Sequence, residues 1–204
     1  MKYFIYTFLV LGFLASCKKE TPNFTISGKI QDNSFSTGLK NAEIKLYEIE
    51  IGTTKEKLIL TSSTDNNGNY SLNFERNQVE KYILKINKNN YFEKTETIYF
   101  SALTTKEDNI KNYSVDAKAW VNLHFTNTDK DLSKSIEYGI TSGKSDCDEC
   151  CTPTKQTLTN TLEENIICIN NGNSTYSVLI ISETLKTYTI TTTPFDTVTL
   201  EIPF

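Results

Sequence analysis

Apolar and polar residues alternate along most of the chain, and this pattern predicts β-strands. Ile26, Gly28 and Ile30 alternate with polar residues, as a half-buried strand requires. The same alternation returns at 42–46, 70–74 and 82–86. No segment keeps a helical period over eleven or more residues. The pattern therefore predicts a nearly all-β protein.

A polar turn follows the apolar run at 58–60. Asp65, Asn67, Gly68 and Asn69 precede the alternating stretch 70–74, and Asn-Gly pairs favour tight hairpins because both residues tolerate positive φ. Asp65, Asn67 and Asn69 also offer oxygen ligands for calcium. The EF-hand loop needs glycine at its sixth position, whereas Gly68 is fourth, so we favour the hairpin.

The longest alternating stretch lies in the middle of the chain. Every odd position is apolar from Tyr113 to Phe125, over thirteen residues. Strands usually have about 3 to 10 residues. We interpret the stretch as the last strand of one domain running with little break into the first strand of another. The boundary is predicted near Lys118, with limited freedom between the domains.

The second half of the chain predicts another sandwich. Short alternating or apolar runs lie at 136–140, 166–169, 176–181, 188–192 and 198–202, and a turn lies at 170–173. About six short strands with polar turns suggest a β-sandwich, for which an immunoglobulin-like arrangement is one option. The predicted domains are 24–118 and 119–204.

The first half resembles the carboxypeptidase regulatory-like domains. The matching positions are Gly28-Lys29-Ile30, the stretch from Gly38 to Leu46, Thr64-Asp65 with Gly68 and Tyr70, and the run Tyr82-Ile83-Leu84-Lys85-Ile86. Lys40 stands where these domains usually have proline. The resemblance covers about 24–117. It implies a transthyretin-like (prealbumin-like) β-sandwich that serves as an accessory domain without catalytic residues.

The N-terminus looks like a secretory leader. Residues 1–16 have a basic residue at position 2 and an apolar run from Tyr3 to Ala15, too short for the roughly 20 residues of a membrane span. The run ends in Leu14-Ala15-Ser16-Cys17, which resembles a bacterial lipobox. That resemblance implies cleavage before Cys17 and acylation of Cys17, palmitate being one such chain.

Lipidation would make the mature protein membrane-attached. Two or three acyl chains hold a protein stably on a bilayer, whereas one holds it marginally. Residues 17–23 form a short polar tether, and residue 18 is lysine, not the aspartate that often retains Gram-negative lipoproteins at the inner membrane. The expected location is the outer membrane, with the periplasmic or surface face left open.

Charge and size narrow the classes of function. The 204 residues carry 21 Lys and Arg against 25 Asp and Glu, a formal net charge of −4. A mildly acidic chain argues against nucleic-acid binding, which leaves a basic footprint. Two small domains fit this length.

The cysteines carry the clearest chemical signal after Cys17. Cys147, Cys150, Cys151 and Cys168 are an even set in a predicted exported chain, which favours disulfides. The pairings considered are Cys147–Cys150 with Cys151–Cys168, or Cys147–Cys151 with Cys150–Cys168. Cys147-x-x-Cys150 also has zinc-ligand spacing. Its acidic neighbours raise thiol pKa values, which disfavours metal or redox chemistry.

Two further side chains are candidate site residues. His124 is the only histidine, and its place on the polar face of a strand suggests an exposed position, not a catalytic one. Trp120 is a weak candidate for stacking on a sugar, because it falls on the same non-core face. Asp196-Thr197-Val198 resembles an O-glycosylation triplet, which three residues match easily.

These observations predict a non-catalytic, lipid-anchored envelope protein that acts as a structural or interaction module, without cofactor or metal. The expected partners are the membrane, through the anchor, and a protein or glycan. Alternatives are a carbohydrate-binding or nutrient-capture accessory lipoprotein and a metal-binding protein that uses the Cys147 cluster.

Overall fold

The structure is a computed structural model that describes residues 22–181 and 184–204. Its described elements are β-strands, apart from one short 3-10 turn at Phe100–Ala102. The strands form four sheets that pair into two sandwich-like domains, which we call the first and the second sandwich. This confirms the all-β prediction.

The first sandwich has one sheet built around its first strand. β1 pairs antiparallel with β5 and β2 and parallel with β8 and β9, while the facing sheet has the order β4-β3-β6-β7. The strands are β1 (Asn23–Asp32), β2 (Thr37–Gly38), β3 (Glu43–Ile49), β4 (Glu56–Ser63), β5 (Asn69–Glu75), β6 (Lys81–Asn87), β7 (Lys94–Tyr99), β8 (Asn109–Ile110) and β9 (Tyr113–Val115).

The second sandwich packs a three-stranded sheet on a four-stranded one. β10 lies between β13, which is antiparallel to it, and β16, which is parallel, while the other sheet has the order β12-β11-β14-β15. The strands are β10 (Lys118–Thr126), β11 (Ser135–Ser142), β12 (Gln156–Thr159), β13 (Glu163–Asn171), β14 (Thr175–Ile181), β15 (Lys186–Thr191) and β16 (Thr197–Pro203). The sequence pattern missed β12, which has only four residues.

The two sandwiches share one strand order. If the two-residue β2 is set aside and β8 and β9 are taken as one interrupted strand, each unit has seven strands in the part of the chain that the structure describes. When the strands are counted within each unit, the first strand of both units lies between the fourth and the seventh. The other sheet of both units has the order third, second, fifth, sixth. An immunoglobulin domain instead groups its first, second, fifth and fourth strands. The second sandwich thus repeats the first, and its sheets do not have the immunoglobulin-like grouping.

Each sandwich has its own apolar core. In the first, Phe24 contacts Phe74 and Tyr82 in tilted and edge-on ring geometry. In the second, Phe125 meets Tyr138 with ring centroids 4.8 Å apart. Inward positions are apolar on both sheets of each unit because burial of apolar area drives sandwich formation.

The tight turn predicted at Gly68 exists, but the predicted hairpin is wrong. The turn joins β4 to β5, and these strands lie in facing sheets, where β4 pairs with β3 and β5 pairs with β1. Gly68 has a φ of 81°, and a Cβ there would clash with the carbonyl oxygen of Ile30. Asp65 accepts hydrogen bonds of 2.8 Å from the backbone N–H groups of both Asn67 and Asn69, which holds the turn closed. These bonds account for the Asp65 carboxylate as a turn-forming group.

The long alternating stretch is divided into two strands. β9 pairs with β1, Asp116 and Ala117 follow, and β10 then begins the second sandwich at Lys118. The odd positions from Val115 to Phe125 are all buried, at most 4% exposed. β9 is parallel to β1, and only two residues separate it from β10, so the connection between the two sandwiches is short.

The predicted leader and Cys17 lie outside the described residues. Among the residues that are described, no helix is long and apolar enough to cross a membrane.

Candidate functional site

The two sandwiches meet at an aromatic cluster. Phe195, in the loop between β15 and β16, stacks on Phe35 with centroids 5.8 Å apart and meets Tyr91 edge-on at 5.3 Å. Phe35 and Tyr91 belong to loops of the first sandwich. Aromatic pairs in these geometries each stabilise by about 0.5–1.5 kcal/mol beyond their burial. We call Phe35, Tyr91 and Phe195 the junction cluster.

A buried carboxylate positions the first-sandwich side of this cluster. Asp32 is 3% exposed, and it accepts a 2.6 Å hydrogen bond from the Tyr91 hydroxyl. Its other oxygen accepts bonds from the backbone N–H groups of Ser34 and Phe35. Burial, and then the bond to Asp32, raise the pKa of Tyr91, so its hydroxyl stays protonated and continues to donate.

Backbone hydrogen bonds also cross the junction. Gly172 N–H donates to Ala117 and Lys118 N–H donates to Asn90, each at 2.8 Å. The Asn173 side-chain amide donates to the Ser34 carbonyl at 2.7 Å. Only glycine fits at 172, because a Cβ would lie 2.7 Å from the Pro194 ring. The connection is therefore held at several independent points.

The loop between β11 and β12 adds a second contact between the sandwiches. We call it the cysteine loop because it carries Cys147, Cys150 and Cys151. The ammonium groups of Lys118 and Lys144 lie 5.4 and 4.8 Å from the ring centroid of Phe92, which belongs to the first sandwich. Glu149 accepts from Lys118 through both carboxylate oxygens, at 2.8 and 2.9 Å. Asp146 binds Lys144 at 2.7 Å, and this ion pair lowers the pKa of Asp146. The two lysines are thus charge-compensated above a half-buried ring.

A polar cleft of about 790 Å³ opens beside this contact. Its walls come from Asn87–Lys94 of the first sandwich and Lys144–Glu149 of the cysteine loop. Its exposed groups are mainly amides, ammonium groups and carboxylates, several already paired with each other. The cleft lacks the apolar lining that most small-molecule sites have.

The four candidate cysteines form two disulfides, Cys147–Cys150 and Cys151–Cys168. This is one of the two pairings that the sequence left open. Cys168 is fully buried in the second core, whereas Cys147 and Cys150 are partly exposed. The first bond closes the loop beside the junction, and the second fastens that loop to β13. Among residues 22–181 and 184–204, no group of three or more His, Cys, Asp or Glu side chains is arranged to hold a metal ion.

Trp120 and His124 lie on the outer face of the β13-β10-β16 sheet. Trp120 is partly exposed and pairs across the strands with Ile169 and Thr197. Both nitrogens of His124 are bonded, Nδ1 to Glu201 at 2.6 Å and Nε2 to Glu163 at 2.8 Å. These bonds, Glu163 first, raise the pKa of His124. The imidazole therefore ties three strands together. The weak assignment of Trp120 to sugar stacking stays a prediction.

The junction cluster itself was missed by sequence reasoning. Phe35 and Phe195 lie in loops, outside any alternating run, and Phe195 has a φ of 66° that propensity would not favour. The one available signal was the presence of isolated aromatics inside otherwise polar loops.

Comparison with known proteins gives distant structural matches. No protein-family model matches the chain, and no curated protein matches it. The carboxypeptidase regulatory-like resemblance therefore stays a prediction. The Bacillus anthracis TIE protein matches 89% of this chain at 13% identity and a TM-score of 0.35, and this chain spans only 34% of its length.

Two pilins also match. A streptococcal ancillary pilin matches 90% of this chain at 10% identity and a TM-score of 0.34, over 63% of its own length. The shaft pilin SpaA from Lactobacillus rhamnosus GG matches 90% of this chain at 7% identity and a TM-score of 0.34, over 97% of its length. At such distances, the function has to be inferred from this chain's own residues.

Proposed function

We propose that this chain is a non-catalytic, lipid-anchored protein of the cell envelope that works as a rigid two-sandwich arm. The junction carries this proposal, because loops from both units interlock through the junction cluster and through separate backbone bonds. A module that only had to stay attached to the membrane would not need a fixed angle between its two domains.

The polar groups support a structural role. His124 is held by two glutamates, and the four cysteines past residue 140 are joined in pairs. Lys118 and Lys144 are paired with carboxylates. Each of these side chains already serves a packing or bonding contact, which is what an architectural module requires.

The strands give the dimensions of the arm. β1 has 10 residues and β10 has 9, and in the proposed arm these two strands follow one another end to end. At about 3.3 Å per residue they add up to roughly 60 Å. The tether at 17–23 would add up to about 20 Å when extended. The loops at the far end of the second sandwich would then lie well above the bilayer.

Lipidation of Cys17 tests the anchor. The full chain, expressed in a Gram-negative host with labelled palmitate, is expected to incorporate the label and to partition into detergent. The Cys17→Ser variant should lose both properties. The matched control removes two other cysteines, Cys147→Ser with Cys150→Ser, and should keep them. Label that persists in Cys17→Ser would overturn the anchor.

Rigidity is tested separately. Spin labels on exposed positions of the two sandwiches, such as Thr97 and Thr187, should give one narrow distance distribution. A broad distribution in the parent protein would contradict the proposed arm, whatever the result for Cys17.

A further inference from the structure

Exposed leucines collect at the far end of the second sandwich. Leu132 is 51% exposed, Leu162 46% and Leu185 69%. They lie between β10 and β11, between β12 and β13, and just before β15, respectively. All three positions are at the end of the unit that points away from the junction. We call these three residues the tip leucines.

Strand register places the loops that carry the tip leucines at one end of the second sandwich. Ser135 pairs with Thr159, which sets the β11 and β12 ends side by side, and Glu137 pairs with Ile181 at the end of β14. The β15 strand begins beside β14, at Lys186. With strands about 4.8 Å apart, the set spans roughly 15 Å. The Leu162 carbonyl also accepts from Asn127 N–H at 2.9 Å, which joins two of the loops.

Because the two sandwiches share one strand order, the corresponding end of the first sandwich can be compared with the tip of the second. In the first sandwich Asn33 N–H donates to Val115, and in the second Thr128 N–H donates to Phe204, both at 2.9 Å. Asp32 and Asn127, one residue earlier, are each 3% exposed. The two ends are therefore equivalent. In the first unit this end carries Phe35 and Tyr91 and is covered by Phe195 of the next sandwich.

The charges beside the tip leucines suit contact between like molecules. The segment from β10 to β11 carries Asp129, Lys130, Asp131 and Lys134, two of each sign, with Lys134 bound to Asp129 at 2.6 Å. The whole chain, by contrast, has a net charge of −4. Glu163 and Glu164 follow Leu162, and Lys186 follows Leu185, so the surface carries charges of both signs. A two-fold axis would bring this mixed-charge surface against its own copy, where groups of opposite sign can pair.

We propose that the tip leucines form a docking surface for a second copy of this chain, joined tip to tip. This rests on the proposed function, because a lipid anchor at the opposite end would leave the tip free and would direct two joined copies into two facing membranes. The contact is small, so binding between single molecules is expected to be weak and to gain strength from many copies on each surface.

Sedimentation of the full chain in detergent tests the contact itself. The parent should show a concentration-dependent dimer, and the variant Leu132→Ser with Leu162→Ser should weaken it by about tenfold or more, which corresponds to losing one well-buried leucine side chain. The control changes two exposed residues elsewhere, Ile51→Ser with Ile167→Ser, and should dimerise like the parent. Far-ultraviolet circular dichroism checks that each variant is folded.

Two results would overturn the docking surface: a parent that stays monomeric up to about 1 mM, a very weak association by any standard, or a dimer that the tip variant leaves unchanged. A monomeric parent would also leave the exposed leucines to some other partner.

Vesicles of phosphatidylethanolamine and phosphatidylglycerol test the joining of two membranes. Vesicles carrying the lipidated parent should cluster, as followed by light scattering, and those carrying the tip variant should not. Vesicles that bind the protein without clustering would overturn the tip-to-tip arrangement. Protein that fails to attach to vesicles would instead contradict the lipid anchor, while sedimentation still decides the tip.

Discussion

The two disulfides should differ in how much they stabilise the second sandwich. Cys151 and Cys168 are 17 residues apart, whereas Cys147 and Cys150 are three apart. A disulfide stabilises in proportion to the loop entropy that it removes from the unfolded chain. The loop-closure relation gives about 3 kcal/mol for the longer loop and about 1.6 kcal/mol for the shorter one.

The structure adds to this difference. Cys168 is fully buried and Cys151 packs against the same core, so Cys151→Ala with Cys168→Ala also removes apolar contacts. Cys147 and Cys150 are partly exposed, and their replacement should cost little beyond loop entropy. We therefore expect the first double variant to lose at least about 3 kcal/mol of unfolding free energy.

Trp120 provides the assay. It is the only tryptophan and it lies in β10, so its fluorescence in a urea titration reports the unfolding of the second sandwich. The difference between the unfolding free energies of the parent with and without reductant gives the summed contribution of both disulfides. Equal losses from the two double variants, or a larger loss from Cys147→Ala with Cys150→Ala, would refute the loop-entropy reasoning.

Three further changes have expected outcomes. The bonded glutamates raise the pKa of His124, so its stabilising effect is present below about pH 6.5 and disappears as the pH rises through the folded pKa. Urea titrations at several pH values should show this fall in unfolding free energy in the parent and not in His124→Gln. Parallel pH curves for the two proteins would contradict it. Phe195→Ala removes two ring contacts, so it should cost about 1–3 kcal/mol of stability and broaden the spin-label distance distribution between the sandwiches. The control Ile167→Ala should leave that distribution narrow. An unchanged distribution in Phe195→Ala would count against a junction held by the aromatic cluster. Gly68→Ala and Gly52→Ala both place alanine at a φ near 80°, but only at Gly68 would the added Cβ meet backbone atoms. Thermal unfolding should therefore show a loss of about 1–2 kcal/mol of stability for Gly52→Ala and clearly more for Gly68→Ala. Equal losses would mean that the contact with Ile30 relaxes freely.

Much of the fold could be predicted because strand faces have a period of two. The odd positions from Val115 to Phe125 are buried, as alternation alone indicated. The Gly68 turn was also predictable, since Asn and Gly tolerate the positive φ of a tight turn. That the turn crosses from one sheet to the other, so that no hairpin forms, depends on pairing with distant strands. β12 escaped notice because four residues with one leucine carry too little pattern to separate from a loop.

The candidate site was predicted less well. Local sequence named the four cysteines and favoured disulfides, but it left two pairings open. The choice depends on Cys168 facing the core from β13 beside Cys151, a placement set by sheet register. Similarly, the strand pattern predicts an exposed His124, and only the flanking strands supply Glu163 and Glu201.

The sequence by itself determined what depends on neighbours along the chain. It specified the strand class, the tight turn at Gly68 and the even set of cysteines, because each depends on residues close together in sequence. The lipobox-like segment before residue 18 stays a prediction. The tertiary structure decided how distant segments meet. Phe35, Tyr91 and Phe195 form a cluster only because two separate sandwiches bring their loops together, and the shared strand order becomes visible only after the sheets are assembled. Such contacts have no local pattern, since they arise from packing between elements that are up to 160 residues apart (Phe35 to Phe195).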